Sequence, residues 1–184
     1  MLAPDYPIVT DRLVLRPYET DDVDAVFAYQ SMPDVVRHVP YEPRTRDEVA
    51  ERVEAARTST TLAAEGDVLL LVIALRETGE VIGDVVLFYR SEQHSRGEIG
   101  YILHPDHSGH GYATEAAREL LRLGFEGLGL RRIIARVDAR NDASIAVLQR
   151  LGMWKEAHLV QNEFFKGEWT DEVDFAVLAS EWER

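Results

Sequence analysis

The stretch HPDHSGHGYATEAAREL, residues 104–120, brings together three histidines, two glycines and a run of helix-forming residues. His104, His107 and His110 recur at steps of three, which raises the possibility of a metal site. Helical histidine ligands recur instead at i, i+4, because that spacing puts both imidazoles on one face. Pro105 and Gly109 interrupt any such alignment, and no neighbouring pattern of cysteine or closely spaced carboxylates completes a shell. A metal-dependent enzyme built on the triplet therefore ranks last among the chemistries considered, and no metal is expected.

The glycines suggest a different chemistry. In Ser108-Gly109-His110-Gly111-Tyr112-Ala113, the two residues without Cβ atoms let the backbone turn sharply and approach a ligand. The helix that starts here opens with unpaired N–H groups and the positive end of its dipole, which suit a pyrophosphate. Ala113 is small, and Thr114 adds a hydroxyl in the first turn. No lysine follows as in a nucleoside-triphosphate loop, and no GxGxxG follows the first strand as in a dinucleotide-binding fold. Asn141, Asp142 and Ser144 cluster at the start of a second helix, after the next strand. Two parallel strands feeding two such helices make a crevice in which a cofactor can lie. The structural alternatives are a tight turn into a packed helix, and plain N-caps.

These residues need a scaffold, and the chain has the means to build one. Its 184 residues, 46% hydrophobic and 29% charged, fit one globular domain spanning 1–184. A net charge of −13 argues against a general nucleic-acid binder. The absence of cysteine excludes disulfides and thiol nucleophiles. No basic-then-apolar leader and no membrane-spanning run is found, so a cytoplasmic location is expected.

RLVLRP (12–17) reads as a first strand, followed by a helix that Thr20 caps, with Asp21, Asp22 and Asp24 near its start. Thr45 and Glu48 form a capping-box pattern ahead of Val49, Val53 and Ala56. Two β-rich runs flank Thr78-Gly79, and EIGYIL (98–103) is a further strand. The helix after it places Ala113, Ala116, Ala117, Leu120, Leu121 and Gly124 on one face. RRIIARVDA (131–139) is a strand, NDASIAVLQRLG (141–152) a capped helix, and the tail two strands around Lys166-Gly167. The order is strand, two helices, three strands, helix, strand, helix, two strands.

The GNAT superfamily of acyl-CoA-dependent N-acyltransferases carries Q/R-x-x-G-x-G/A at such a strand-loop-helix junction, and SGHGYA (108–113) resembles it except at Ser108. GEIGYILHPDHSGHGYATEA and NDASIAVLQRLGM are similar to the RimJ/RimL branch of ribosomal-protein N-terminal acetyltransferases, which often has tryptophan where Ser108 stands. TDRLVLRP and KGEWTDEVDFAVLASEW, near the two ends, also resemble this branch.

The resemblance implies an α/β fold: a mixed, mostly antiparallel sheet of about seven strands with a splayed parallel pair, flanked by about four helices. It implies acetyl-CoA as co-substrate and a primary amine as acceptor, a protein N-terminus in the leading reading. A polyamine or aminoglycoside acetyltransferase is the same-class alternative, and a non-catalytic acyl-CoA-binding module the different-class one. Ser108, Gly109, His110, Gly111, Tyr112, Ala113 and Thr114 would form the pyrophosphate loop. Tyr101, Ile102 and Leu103 would meet the pantetheine arm, with Asn141 and Ser144 on its other side. Glu98 is the first candidate for general base and His104 a weaker one. Ser144 is the leading general acid, with Tyr101 and Tyr112 as alternatives. Glu163, Glu168, Asp171 and Glu172 would favour a cationic acceptor unless they are ordinary solvated charges. The chain would act as monomer or homodimer, with Phe175, Val177 and Leu178 as a dimer contact or as core.

Overall fold

Leu69, Leu71 and Ile73 alternate along one segment, as do Val85 and Leu87, Ile133 and Val137, and Val173, Phe175 and Val177; all are buried. Side chains alternate between the faces of a strand, so these runs bury one side of a sheet. The computed structural model, which describes residues 1–182, builds that sheet from eight strands. In chain order they are β1 (Ile8–Val9), β2 (Leu13–Arg16), β3 (Val68–Leu75), β4 (Val81–Ser91), β5 (Arg96–Leu103), β6 (Arg132–Asp138), β7 (Trp154–Phe165) and β8 (Glu168–Leu178). Their spatial order is β1-β2-β3-β4-β5-β6-β8-β7. Helices α1 (Val23–Gln30), α2 (Pro33–Val36) and α3 (Arg46–Ala56) lie between β2 and β3. Helix α4 (Tyr112–Arg122) joins β5 to β6, and α5 (Asp142–Arg150) joins β6 to β7.

The two faces do different work. The alternating apolar residues pack under α4 and α5, against Ala116, Ala117, Leu120, Leu121, Val147 and Leu148. The opposite face carries a smaller cluster in which Val72 meets Val26 and Tyr29 of α1 and Val49 and Val53 of α3. Cross-strand register puts Val72 beside Asp84, and Asp84 beside Ile102, so the second face turns polar between β3 and β5.

Every neighbouring pair is antiparallel except β5–β6. That parallel pairing runs from Arg96↔Arg132 to Glu98↔Ile134 and stops. Strand β5 continues along β4 as far as Leu103, while β6 continues along β8 as far as Asp138. The sheet therefore opens into a wedge beyond Glu98. The mixed α/β architecture with a splayed parallel pair matches the sequence reading.

The strand and helix numbers differ from it for a simple reason. Strand β1 has two residues and α2 four, too short to carry a hydrophobic period. Thr20 is not the cap of α1; it opens a 3₁₀ turn, Thr20–Asp22, capped by Glu19. The Asp22 carboxylate accepts the Glu19 N–H at 2.7 Å and pairs with Arg16, a long-side-chain partner that a helix-start pattern does not include. The capping box of Thr45 and Glu48 forms on α3 as expected. Phe175 and Val177 are each 1% exposed, within the core.

Leu120 of α4 is fully buried under the sheet, whereas Arg118 faces solvent. Leu120→Ala is expected to lower unfolding free energy by about 2–5 kcal/mol, and Arg118→Ala by less than about 0.5 kcal/mol. Urea unfolding of the two variants measures both.

Candidate functional site

The loop between β5 and α4 owes its course to two glycines. Gly109 and Gly111 both have φ near +82°, in the left-handed region, and Gly111 is the N-cap of α4. A side chain at either position is strained there. The first intrahelical hydrogen bond runs from the Glu115 N–H to the Gly111 carbonyl, so the N–H groups of Tyr112, Ala113 and Thr114 precede the helical ladder. The Thr114 hydroxyl is buried without a hydrogen-bond partner.

A brace from the far end of the chain holds this loop. Arg12 donates to the His110 carbonyl at 2.8 Å and to Glu115 at 2.7 Å, with its guanidinium 4.7 Å from the Tyr112 ring centre. Glu115 also accepts from the Thr10 hydroxyl at 2.6 Å and the Arg12 N–H at 2.9 Å. Burial alone raises the Glu115 carboxyl, but these donors outweigh it and hold the group below the usual carboxylate range.

Beyond Glu98 the β6-facing edge of β5 has no strand partner among the described residues. The His104 N–H bonds to Ile82 on β4, and antiparallel bonding alternates, so the backbone groups of Tyr101 and Leu103 lie on the open edge. A cavity of about 680 Å³ runs along this edge to the glycine loop, lined among others by Tyr101, Ile102, Leu103, residues 108–114, Asn141 and Ser144. A second cavity of about 650 Å³ lies on the other side of the sheet opening, lined by Glu98, Gly100 and Asp84 among others. The two share His38, Val39, Tyr101, Ile102, Asn141 and Ser144. A Cβ on Gly100 would come within 3.0 Å of Val86, so a glycine there keeps the second cavity open.

The candidate side chains distribute around this junction. Glu98 faces the second cavity, its carboxylate receiving the Arg90 guanidinium at 2.8 Å. Tyr101 points to the opposite face and donates its hydroxyl to the Ser144 carbonyl at 3.0 Å; burial pushes this phenol above its ordinary range. Ser144 lies in the first turn of α5, and its N–H bonds to the capping Asn141 Oδ1 at 3.1 Å. Strand parity thus separates Glu98 from Tyr101, while Ser144 borders both cavities.

The histidines of the loop do not converge on one point, although His107 and His110 border the first cavity. His104 accepts the Asp106 N–H and lines neither cavity, and His107 lies 3.2 Å from Glu80. His110 stacks on Tyr112. Among the described residues no group of three or more His, Asp or Glu is placed to hold a metal ion. Glu163, Glu168, Asp171 and Glu172 line neither cavity; Asp171 pairs with His158 and Glu168 with Arg140.

Sequence reasoning missed several residues that line the junction. His38, after α2, has its Nδ1 3.5 Å from Asp138, outside hydrogen-bond geometry. Arg44, Arg52, Asp84 and Arg136 come from four separate segments and line the second cavity. No local motif joins them. The alternation of Asp84 with the apolar Val85 and Leu87 was the one available signal, since an aspartate inside a hydrophobic strand needs a partner.

A family model described as an acetyltransferase (GNAT) domain matches residues 12–154. The uncharacterized N-acetyltransferase p20 of Bacillus licheniformis is 35% identical, over 95% of this chain and 97% of its own. The spermidine N(1)-acetyltransferase of Escherichia coli is 29% identical over 56% of each chain. Among solved structures, an acetyltransferase of the GNAT family from Bacillus anthracis superposes with a TM-score of 0.83 at 29% identity, covering 95% of this chain and 99% of that one.

Asp138, at the end of β6, anchors one rim of the junction. Burial raises its carboxyl, but hydrogen bonds from the Arg140 side chain and backbone prevail and hold it at about 2. A depressed folded-state pKa stabilises the fold above the unfolded value, near 3.9, and that contribution is lost as pH falls toward about 2. Asp138→Asn is expected to lower stability by roughly 2 kcal/mol at pH 6, with the difference from wild type closing near pH 2. Thermal unfolding across that pH range checks it; a gap independent of pH contradicts the linkage.

Proposed function

The chain belongs to the GNAT acetyltransferase family, and on that premise we propose that it acetylates a primary amine by direct attack, a protein N-terminal α-amine being the leading acceptor. The observation that carries this reading is the meeting of two cavities at the point where β5 and β6 part. One suits a long thin co-substrate, and the other brings an acceptor to its end. In this reading residues 1–184 act as one acyltransferase domain, and GEIGYILHPDHSGHGYATEA with NDASIAVLQRLGM supports the ribosomal-protein N-terminal acetyltransferase branch.

The family uses acetyl-CoA, which supplies a thioester carbonyl open to attack and a thiol as leaving group. The residues present fit it. The left-handed glycines at 109 and 111 leave a backbone cradle, and the buried Thr114 hydroxyl lacks a protein partner. Amides from Gly109 to Thr114 hold the pyrophosphate, Ser108 borders the loop, and the open edge at Tyr101 and Leu103 pairs with the pantetheine arm. Asn141 spends its Oδ1 on the α5 cap, which leaves its amide nitrogen for the same arm. A backbone N–H at this edge also stabilises the carbonyl oxygen as it gains charge.

Glu98 takes the proton that the amine loses, directly or through one water. An α-amine, at about 7.7–8.0, is partly neutral at pH 7, whereas a lysine side chain at about 10.4 needs about 3 kcal/mol more to deprotonate. A modest base therefore suffices for an α-amine. Ser144 relays a proton to the departing thiolate, its hydroxyl taking one from water as it gives one up, and Glu98 releases its proton to solvent to close the cycle. The Tyr101 phenol, raised by burial and already donating to the Ser144 carbonyl, positions the start of α5.

A second reading, acetylation of a small amine such as a polyamine, draws on the likeness to the spermidine N(1)-acetyltransferase. Mass spectrometry of N-terminal peptides and small amines incubated with acetyl-CoA separates the two, and acetyl-CoA binding without any product identifies a non-catalytic module. Glu98→Gln and Ser144→Ala are each expected to lower kcat/KM by about 10²-fold. Wild-type values for both would remove these assignments. Gly111→Ala is expected to weaken coenzyme A binding roughly tenfold by calorimetry, because alanine resists the left-handed conformation. Unchanged affinity places the pyrophosphate elsewhere.

A further inference from the structure

The chain carries 20 Lys and Arg against 33 Asp and Glu, yet the acceptor-side cavity reverses that sign. Its wall includes Arg44, Arg52, Arg90 and Arg136 against Asp84 and Glu98. Arg90 is committed to Glu98 at 2.8 Å, and Arg136 reaches Asp174 at 3.9 Å. Arg44 and Arg52 are in a different position.

Asp84 is the carboxylate that Arg52 approaches, and neutral groups already engage it. The Tyr29 hydroxyl donates to Asp84 Oδ2 at 2.7 Å and the Gln30 amide to the same oxygen at 2.9 Å. Arg52 comes no nearer to Asp84 Oδ1 than 4.0 Å, and its Nε is buried without a hydrogen-bond partner. Arg44 donates to the Gln30 side-chain oxygen and lies 3.8 Å over the Tyr41 ring, making no ion pair among the described residues. Gln30 thus ties one guanidinium to the same carboxylate that the other approaches. Asp84 favours the charged form of Arg52 from 4.0 Å without a hydrogen bond between them. Arg44 is held by a neutral amide and a ring, so both guanidinium groups keep donors free toward the cavity. A partly desolvated guanidinium is costly without an anion, and its planar fork of donors matches a carboxylate or phosphate.

We propose that Arg44 and Arg52 form an anion subsite in the acceptor cavity, so that the enzyme's acceptor is a primary amine that also carries a carboxylate or phosphate. This rests on the acetyl-transfer reading above. The anion docks against α3 and the loop before it, and the amine end extends across the same sheet face toward Glu98 and the shared junction. A polyamine meets like charge at this wall and is disfavoured.

Matched acceptor pairs test this with the wild-type enzyme and acetyl-CoA. Peptides beginning with Asp are compared with peptides beginning with Asn, and O-phosphoethanolamine with ethanolamine, with spermidine as the cationic arm. The anionic member of at least one pair is expected to show a kcat/KM at least tenfold above its neutral partner, and the pair that does so tells peptide from small molecule. Arg44→Gln is expected to cut that ratio at least tenfold, while Arg44→Lys, which keeps the charge, retains most of it. Neutral members or spermidine turned over as well as the anionic ones overturn the proposal, as does an unchanged ratio in Arg44→Gln. Transfer to neutral or cationic amines alone overturns only this subsite. Transfer to no amine overturns the acetyl-transfer reading and the subsite with it.

Discussion

The early end of the parallel pairing between β5 and β6 is the constraint on which the rest of the molecule depends. Both strands are firmly held on their outer sides, β5 by β4 and β6 by β8, so neither is free to follow the other past Glu98 and Ile134. A buried strand edge costs free energy unless its N–H and C=O groups find partners. Here the unpaired edge opens onto a cavity, where an extended ligand with amide groups can take the place of a strand. The wedge also joins the two faces of the sheet at one place. Without it the co-substrate side and the acceptor side would be sealed from each other by hydrogen-bonded backbone.

Charge is distributed to serve that opening. On one side the Arg12–Glu115 brace fixes the glycine loop from outside, so the helix start is held without side chains intruding on it. On the other side the Asp84 network anchors α1 and α3 to the polar part of the sheet and carries arginines to the cavity wall. A chain that is acidic overall thus keeps a locally basic wall on the cavity proposed for the acceptor. The surplus acid lies elsewhere, as the pairing of Glu168 with Arg140 and of Asp171 with His158 illustrates.

Much of the architecture was legible because its signals are local. Strand alternation in RLVLRP, the capping box at Thr45, and the alanine–leucine face of α4 are each settled within about ten residues by local spacing, with periods of 2 and 3.6 for the strand and the helix. The two features that escaped, β1 and α2, are shorter than either period can reveal. The glycine loop was legible for a related reason: its conformation is a property of the residue type at 109 and 111, not of what surrounds them. Thr20 failed as a cap because Asp22, tethered to Arg16, forms a capping box with Glu19 and so moves the start of the turn one residue earlier.

By itself, the sequence determined the fold class, the family resemblance and the glycine turn that opens α4, because each is written in contiguous patterns. Only the tertiary structure decided the acceptor side. The regular course of β5 turned Glu98 toward one cavity and Tyr101 toward the opposite face, a parity that a one-residue bulge between them would reverse. It also gathered Arg44, Arg52, Asp84 and Arg136 from segments with no common spacing. Backbone chemistry follows from neighbours in sequence. Charge compensation follows from neighbours in space, and those exist only once the sheet has formed.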